Sequence, residues 1–334
     1  MERYYKHHLS DFKTWEQKDH AVDWVLLAKN IGKRCSIDET QLCEEVYTIL
    51  SNKDGHGRNG SVIAIVKGTK ADVVSRIIKK MPAEELAKVE EITMDFSDSM
   101  YSIAKQCFPN AVIVIDCFHI IKRLCEGLES MRLKFKRLAV TENKKAAAAF
   151  AQNEDRKAKK RAYYRRRHPK KAGENRGRKR IRKQKYKPQE LSNGDTKVEL
   201  LTRSRNLLAQ SGEKWGEHKK ERAKLLFGLY PQMKEAYSLI CKARDIFKRK
   251  ITREEARTKL HEWYKEISTC TFREIKSARD CIKSREEEVL NYFLKRSTNA
   301  SAESLNSKMK GFRAQLHGIA DIPFFLYRVS TILG

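Results

Sequence analysis

The strand patterns of this chain are confined to its first third, and this distribution limits the folds that are open to it. Short apolar runs separated by turn residues fill residues 32–116, and the last run, AVIVID at 111–116, is apolar up to its final aspartate. Such a strand is typical of the buried centre of a sheet that is covered on both faces. Two segments with helical spacing, 70–80 and 99–108, separate the later strands. The order β-β-β-α-β-α-β predicts a mixed α/β sheet.

Helical periodicity dominates outside this region. The first thirty residues carry apolar side chains at helical spacing, which predicts an amphipathic N-terminal helical segment over 1–31. After residue 120 no strand pattern appears, and Lys, Glu, Arg, Ala and Leu recur at helical spacing over most of the remainder. We therefore expect the sheet to form from the first third and helices to form from the rest.

The chain is strongly basic, with 71 Lys and Arg against 43 Asp and Glu and a formal net charge of +28. Residues 156–187 alone hold 18 Lys and Arg and one acid, with tyrosines interspersed. This composition predicts a solvated, disordered loop, and its cations would neutralise phosphates and release condensed counterions from a nucleic acid. The charge indicates a polyanionic partner without distinguishing DNA from RNA.

Neither a membrane span nor a signal peptide is visible in the sequence. The longest apolar runs are about five residues, far below the length that crosses a bilayer. A signal peptide has an apolar stretch after its charged N-terminal residues, and the first residues of this chain have none. The expected location is therefore the cytoplasm, or the nucleoid when DNA is bound, with no membrane partner.

Two aspartates stand where predicted strands end. Asp38 follows Ile37 at the end of the first strand, and Asp95 ends the fourth strand just before a helix. A turn residue or helix N-cap is the ordinary role of either one, and Ser97 or Asp98 would serve equally well as that cap. With the first strand central and the fourth beside it, however, the two carboxylates come close and repel each other unless a cation lies between them. A divalent metal would satisfy both.

A third carboxylate comes from the C-terminal region. Ser, Thr and Asn in RSTNAS begin a helix whose positions 303, 306, 310 and 313 share one face. That face carries Glu303, Asn306, Lys310 and Arg313. An acid, an amide and two bases suit both a metal and a phosphate backbone. The same pattern also occurs on exposed helix faces that have no function.

Five segments occur in a recognisable order, namely IDET, ITMDFSDSM, CFPNAVIVIDCFHIIK, STNASAESLNSKMKGFR and FFLYRVSTIL. Together they resemble the DDE transposases of bacterial insertion sequences, specifically the ISL-type group, over nearly the whole chain. The family patterns N-x-x-x-E-x-x-N-x-x-(I/M/L)-K and D-x-x-H are met by Asn299, Glu303, Asn306 and Lys310, and by Asp116 and His119. Any one segment is weak, whereas their order and spacing together are specific.

The resemblance implies a role for each acid. Asp38 matches the first catalytic aspartate, Asp95 the second and Glu303 the final glutamate, and together they would hold Mg²⁺ or Mn²⁺. Asp116 is the competing candidate for the second acid, but Asp95 is preferred because it ends the strand expected beside the first one. His119 belongs to the family signature, while a histidine packed at a helix start and bonded to a carboxylate is the ordinary alternative.

The resemblance also implies a fold, a ribonuclease H-like mixed sheet with a large all-α insertion before the final catalytic helix. The predicted parts are an N-terminal helical segment at 1–31, the first part of the core at 32–130, the insertion at 131–290 with its basic loop at 156–187, and C-terminal helices at 291–334. The last part would complete the catalytic core.

The implied activity is metal-dependent cleavage and strand transfer of DNA, with transposon ends and target DNA as partners of a homo-oligomer. Phosphate contacts are expected from Asn306, Lys310 and Arg313, and from Arg165, Arg166, Arg167, Lys179 and Arg180. The zinc ribbon and helix-turn-helix usual in the family have no counterpart before Asp38, so a separately encoded recognition polypeptide is expected. Two alternatives stay open, a ribonuclease H-like nuclease without strand transfer and a non-catalytic DNA-binding protein.

Overall fold

One mixed sheet of six strands carries the acidic residues of interest. The computed structural model describes residues 4–42, 44–168, 184–316, 318–319 and 321–334. The strands are β1 (Trp24–Leu26), β2 (Arg34–Leu42), β3 (Glu45–Asn52), β4 (Val62–Lys67), β5 (Glu91–Met94) and β6 (Val112–Ile115). Their spatial order is β1-β4-β3-β2-β5-β6, which confirms the predicted mixed α/β class.

The sheet is antiparallel on one side of β2 and parallel on the other. β3 pairs with β2 and with β4 in antiparallel ladders, whereas β5 pairs in parallel with β2 and with β6. The strand β5 therefore lies beside β2, as predicted, and β6 is the next strand out. Every residue of β5 is buried, and β6 is buried after its first residue. This burial is typical of parallel strands that are covered on both faces.

The predicted N-terminal helical segment is wrong in part. The described residues before β2 hold short helical turns at Tyr5–Leu9, Asp11–Thr14, Lys18–His20 and Ala28–Asn30, together with the strand β1. β1 pairs antiparallel with β4, and its central side chain, Val25, is fully buried. Three consecutive apolar residues suit a strand at an open sheet edge, and this pairing outweighs a weak helical periodicity.

Helices make up most of the rest of the described chain. Those of the first third are α1 (Ala71–Ile78), α2 (Ala83–Ala87) and α3 (Asp98–Cys107). Those after β6 are α4 (Cys117–Arg167), α5 (Lys197–Arg203), α6 (Arg205–Ala209), α7 (Glu217–Leu229), α8 (Pro231–Lys248), α9 (Arg253–Thr269), α10 (Arg273–Lys283), α11 (Glu286–Leu290), α12 (Tyr292–Lys295), α13 (Ala300–Gln315) and α14 (Ile322–Leu333). Beyond β6 the described residues add no strand to the sheet, which confirms the helical prediction. Within the same residues, no helix is both long and apolar enough for a membrane span.

The chain divides into two compact units. Unit 1 comprises Met1–Arg123, Ala243–Cys270 and Ala278–Gly334, and unit 2 comprises Leu124–Lys242 and Thr271–Ser277. The whole sheet belongs to unit 1. These limits differ from the predicted insertion at 131–290, because α11 packs against β6 and the Asn291 side-chain amide donates a hydrogen bond to the Ile113 carbonyl at 2.9 Å. Part of the predicted insertion therefore covers the sheet edge.

The helix α4 replaces the first part of the predicted disordered loop. Residues 156–167 continue α4 to Arg167, so the loop prediction is wrong for them. Lys, Arg and Ala have high helix propensity, and Glu154 pairs with Lys157 at 2.9 Å, nearly one turn later. Basic side chains in the last turn also interact favourably with the negative end of the helix dipole. Lys179 and Arg180 lie outside the described residues.

An apolar cluster fixes α13 on the sheet. Leu305 and Met309 of α13 are buried in unit 1, in a cluster that includes Val62 and Ile65 of β4 and Val329 of α14. The helix also lies against β2. Because Leu305 and Met309 are four positions apart, they lie on one side of the helix and set its rotation about its axis. That rotation decides which polar residues of α13 turn toward β2.

The central position of β2 makes its apolar residues important for stability. Replacing Ile37, which is fully buried and paired with both β3 and β5, by Ala should lower the free energy of unfolding by about 2–4 kcal/mol, from lost burial and the cavity left behind. The control is Val46→Ala on β3, where the side chain is 39% exposed and the expected loss is below about 1 kcal/mol. Chemical denaturation measures both, and equal losses would contradict this placement of β2.

Candidate active site

Three aspartates lie side by side in the sheet. Ile37 of β2 pairs with Met94, the last residue of β5. Met94 in turn pairs with Ile115, the last residue of β6. The next residue along each of the three strands is an aspartate, namely Asp38, Asp95 and Asp116. Because residues in one row of a parallel sheet project from the same face, the three carboxylates share one side of the sheet.

Asp38 differs from its predicted position in one respect. It lies inside β2 and not at the end of the strand, because the antiparallel ladder with β3 continues from Asp38 opposite Ile49 to Leu42 opposite Glu45. The parallel partner β5 ends one residue earlier along the row. The sequence could not show whether Asp38 ends β2 or lies inside it, because the strand pattern does not show where the neighbouring strands β3 and β5 end.

The first turn of α4 places a histidine near the end of β5. Asp116, which is 2% exposed, directly precedes α4, and its Oδ1 accepts a hydrogen bond from the Phe118 N–H at 3.0 Å. An aspartate begins many helices in this way. Because the helix starts directly after Asp116, His119 lies in its first turn, with its Nε2 at 2.9 Å from the Asp95 Oδ1. The D-x-x-H spacing thus links the ends of two neighbouring strands.

The helix α13 contacts all three aspartates. Asn299, the residue before the helix, donates its backbone N–H to Asp116 Oδ2 at 2.9 Å and its side-chain Nδ2 to Asp95 Oδ1 at 3.2 Å. Two turns later the Asn306 Nδ2 donates to Asp38 Oδ2 at 2.6 Å. Residues at positions 299 and 306 lie on one face of a helix. A segment from the end of the chain therefore ties the row of aspartates together.

Glu303 lies on α13 between the two asparagines and is exposed. A Glu303 carboxylate oxygen, an Asp116 oxygen and a His119 ring nitrogen all lie within 4.8 Å of one another, a spacing that one metal ion can bridge. Among the described residues, Asp116, His119 and Glu303 form the group of three His, Cys, Asp or Glu side chains whose ligand atoms lie this close together. The choice of Asp38, Asp95 and Glu303 as the metal-binding set stays a prediction, and all of these residues belong to unit 1.

A match to a known family covers most of the chain. The model of the ISL3-type DDE family, described as transposase, matches residues 35–329. The chain belongs to the ISL3-type DDE transposase family. This finding confirms the resemblance drawn from the five sequence segments, and the matched range contains every residue of the acidic site. No curated protein matches the transposase, and no solved structure does.

Negative charge is crowded in the site of this transposase. The pKa of Asp38 is raised to about 6, first by burial, then by the charge of Asp95, with Glu303 adding to it. The hydrogen bond from the Glu39 N–H and the charge of His119 act in the opposite direction. Burial lowers the pKa of His119, but the hydrogen bond and charge of Asp95 outweigh it, so that this pKa is raised. Neighbouring carboxylates contribute to both shifts, and a cation would balance their negative charge.

The donor atoms of the site suit a hard divalent cation, which membership of this family implies. Mg²⁺ and Mn²⁺ prefer oxygen ligands, and the row of aspartates and Glu303 supply them. The side-chain oxygens of Asn299 and Asn306 are buried and have no hydrogen-bond partner among the described atoms. Buried polar atoms are normally paired. The two free acceptors therefore also fit a site built around an ion and its water.

The side chains predicted to contact DNA fall into different environments. On α13, Lys310 is exposed and Arg313 is half-buried. The arginines at 165–167 are exposed in the last turn of α4. Asn306 is only 7% exposed and its amide donates to Asp38, so it has a contact within the site, and its contact with DNA stays a prediction. DNA binding itself follows from membership of the transposase family.

Sequence reasoning named Asn299 only as part of the family pattern and missed its contacts. The available signal was its place at a helix start in STNAS, where backbone N–H groups lack partners within the helix. Nothing local to that segment indicated that Asp95 and Asp116 would supply the acceptors. The contacts depend on where α13 packs, which involves residues far apart in the chain.

The variant Asp38→Asn tests the crowding of charge. Because folding raises the pKa of Asp38 from its ordinary value of 3.8 to about 6, the unfolded chain loses this proton first as the pH rises. The wild type should therefore lose stability relative to the variant between about pH 4 and pH 6.5, by about 1–2 kcal/mol after allowance for solvent screening. Unfolding curves of both proteins in EDTA measure the difference. A difference that stays constant over this range would contradict the raised pKa.

Proposed function

We propose that this transposase cleaves DNA at the ends of a mobile element and joins the freed 3′-hydroxyls to target DNA, using Mg²⁺ or Mn²⁺ held by Asp38, Asp95 and Glu303. The observation that supports this most strongly is the row of aspartates tied together by the helix that carries Glu303. Carboxylate oxygens that lie close together are the ligands that hold the divalent ions in two-metal phosphoryl transfer.

Three carboxylates carry the proposed chemistry. When bound, the divalent ions activate the attacking water or 3′-hydroxyl and stabilise the oxygen that leaves phosphorus. Phosphoryl transfer depends mainly on positioning and charge neutralisation. The main task of Asp38, Asp95 and Glu303 is therefore to keep their oxygens at fixed positions. Two of the three sit on or directly after a sheet strand, which gives them a rigid base.

Asp116 and His119 hold the site together in this proposal. Both Asp116 oxygens accept backbone N–H groups, from Phe118 and from Asn299, so this residue joins the starts of α4 and α13. His119 Nε2 hydrogen-bonds to Asp95 Oδ1 and so fixes the orientation of that carboxylate, and the charge of Asp95 in turn contributes to the raised pKa of the ring. Asp95 is preferred as the second catalytic acid because it follows β5, the strand directly beside β2, whereas Asp116 follows the next strand out and is 2% exposed.

Basic side chains would hold the DNA. Lys310 and Arg313 follow Glu303 along α13, where they suit phosphates near the bond that is cut. The arginines at 165–167 form an exposed cationic group in unit 2. Phosphate contacts of this kind give affinity and position but no direct reading of sequence. Because both ends of an element must be held for joining, we expect the working form to be a homo-oligomer.

Alanine at Asp38, Asp95 or Glu303 should abolish cleavage and strand transfer, with losses of about a thousandfold or more, because each change removes a ligand of the proposed ions. DNA binding should persist. Gel assays with labelled end duplexes, run with Mg²⁺ or Mn²⁺, measure both steps. The matched control is Glu84→Ala, which removes an exposed carboxylate of α2 and should leave both steps unchanged.

The joining step separates this proposal from its alternatives. Pre-cut ends with free 3′-hydroxyls, mixed with a target plasmid, report strand transfer without prior cleavage. A wild type that cuts DNA but never joins pre-cut ends would be a nuclease. An Asp38→Ala variant with undiminished transposition would make the chain a DNA-binding protein without catalysis. Either result overturns the proposal.

Replacing Arg165, Arg166 and Arg167 together with Ala should weaken DNA binding and lower the slope of log K against log salt by about 2–3 units, because each phosphate neutralised contributes about 0.9 to that slope. Fluorescence anisotropy at several salt concentrations measures the slope. The control replaces the same residues with Lys, which keeps the charge and should keep the slope. An unchanged slope in the alanine variant would show that the end of α4 does not contact DNA.

A further inference from the structure

Two asparagines flank Glu303 on α13, and both are committed to the acidic site. Asn299 is fully buried and Asn306 is 7% exposed. Each donates its side-chain Nδ2 to an aspartate, Asn299 to Asp95 at 3.2 Å and Asn306 to Asp38 at 2.6 Å. The two amides therefore contact the two aspartates of the proposed metal-binding set.

The other end of each amide has no partner in the described structure. The Oδ1 atoms of Asn299 and Asn306 are both buried, and no described atom donates a hydrogen bond to them. A buried acceptor without a donor is costly, and each such atom in a native protein calls for an explanation. Two of them, on one helix face and beside the same carboxylates, point to a ligand that supplies hydrogen-bond donors.

Water bound to a divalent cation is a donor of this kind. Mg²⁺ gives up its water reluctantly and keeps several water molecules when one or two carboxylates bind it. Coordinated water has its oxygen turned to the ion and its hydrogens turned outward, so it needs acceptors. A neutral amide oxygen accepts such a hydrogen bond without adding negative charge to a site that is already crowded with carboxylates. Partners of this type, outside the ligands themselves, tune metal affinity.

We propose that Asn299 and Asn306 are positioning residues of the metal site, each holding its aspartate through Nδ2 and accepting a hydrogen bond from ion-bound water through Oδ1. This inference rests on the proposed function, because it needs a divalent ion at Asp38, Asp95 and Glu303. It explains why two buried amides that donate to the aspartates have oxygens without a hydrogen-bond partner among the described atoms. It also gives Asn306 a task within the site.

Binding of Mn²⁺ to the full chain without DNA, followed by electron paramagnetic resonance, tests the inference. Asn299→Ala and Asn306→Ala should each weaken binding about 10- to 100-fold. The spectrum of the ion at saturation should also change, because its water shell has lost an acceptor. The matched control is Ser307→Ala, an exposed polar residue on the same helix, which should change neither quantity. Affinities within about threefold of the wild type, together with an unchanged spectrum, would overturn the inference.

The variant Glu303→Ala separates failure of the inference from failure of the proposed function. If Glu303→Ala binds Mn²⁺ as tightly as the wild type, the ion is not held at this site and the proposed function fails. If Glu303→Ala loses Mn²⁺ while both asparagine variants keep it with an unchanged spectrum, only the inference fails.

An isosteric variant covers the case in which an alanine variant does not fold, as judged by its melting temperature in EDTA. Asn306→Asp keeps the volume of the side chain but replaces the donor to Asp38 with a carboxylate oxygen. Its added charge alters affinity by itself, so its readout is the spectrum of the bound ion. A changed spectrum supports the inference, and a spectrum identical to that of the wild type overturns it.

Discussion

The parallel register of β2, β5 and β6 is the constraint on which the rest of the site depends. It places Asp38, Asp95 and Asp116 in one row, on one face of the sheet. Carboxylates this close repel one another, and the rise of the Asp38 pKa to about 6 reflects burial first and that repulsion second. Backbone N–H groups at the starts of two helices, two side-chain amides and a histidine offset part of it. A cluster of this kind is poor for stability and suits a site that works with a cation.

The two sides of α13 explain how the end of the chain takes part in this site. One side carries Leu305 and Met309, which are buried in an apolar cluster with residues of β4 and α14. The other carries Asn299, Glu303 and Asn306, which reach the row of aspartates or lie beside it. The free energy of apolar burial therefore holds the polar side in place, against the repulsion that Glu303 adds to the site. Loss of either side would disturb the other.

The sequence by itself determined the fold class, the family and the candidate acids. Turn signals between short apolar runs showed the strands, and helical periodicity showed that the rest of the chain is helical, because both patterns arise within a few residues. Where local signals were weak or ambiguous, prediction failed. The apolar residues of β1 were taken for part of a helix, and the charge of residues 156–167 was taken for disorder although Lys, Arg and Ala favour helices.

Only the tertiary structure decided which polar groups meet and what each one bonds to. No local sequence pattern shows that Asp38 lies inside β2. Nor does any local pattern show the hydrogen bonds from His119 to Asp95 and from Asn306 to Asp38. They follow from strand register and from the rotation of α13, which are set by the summed packing of residues far apart in the chain. A shift of one residue in β2 would turn Asp38 to the opposite face of the sheet, so the site exists only because that packing selects a single register.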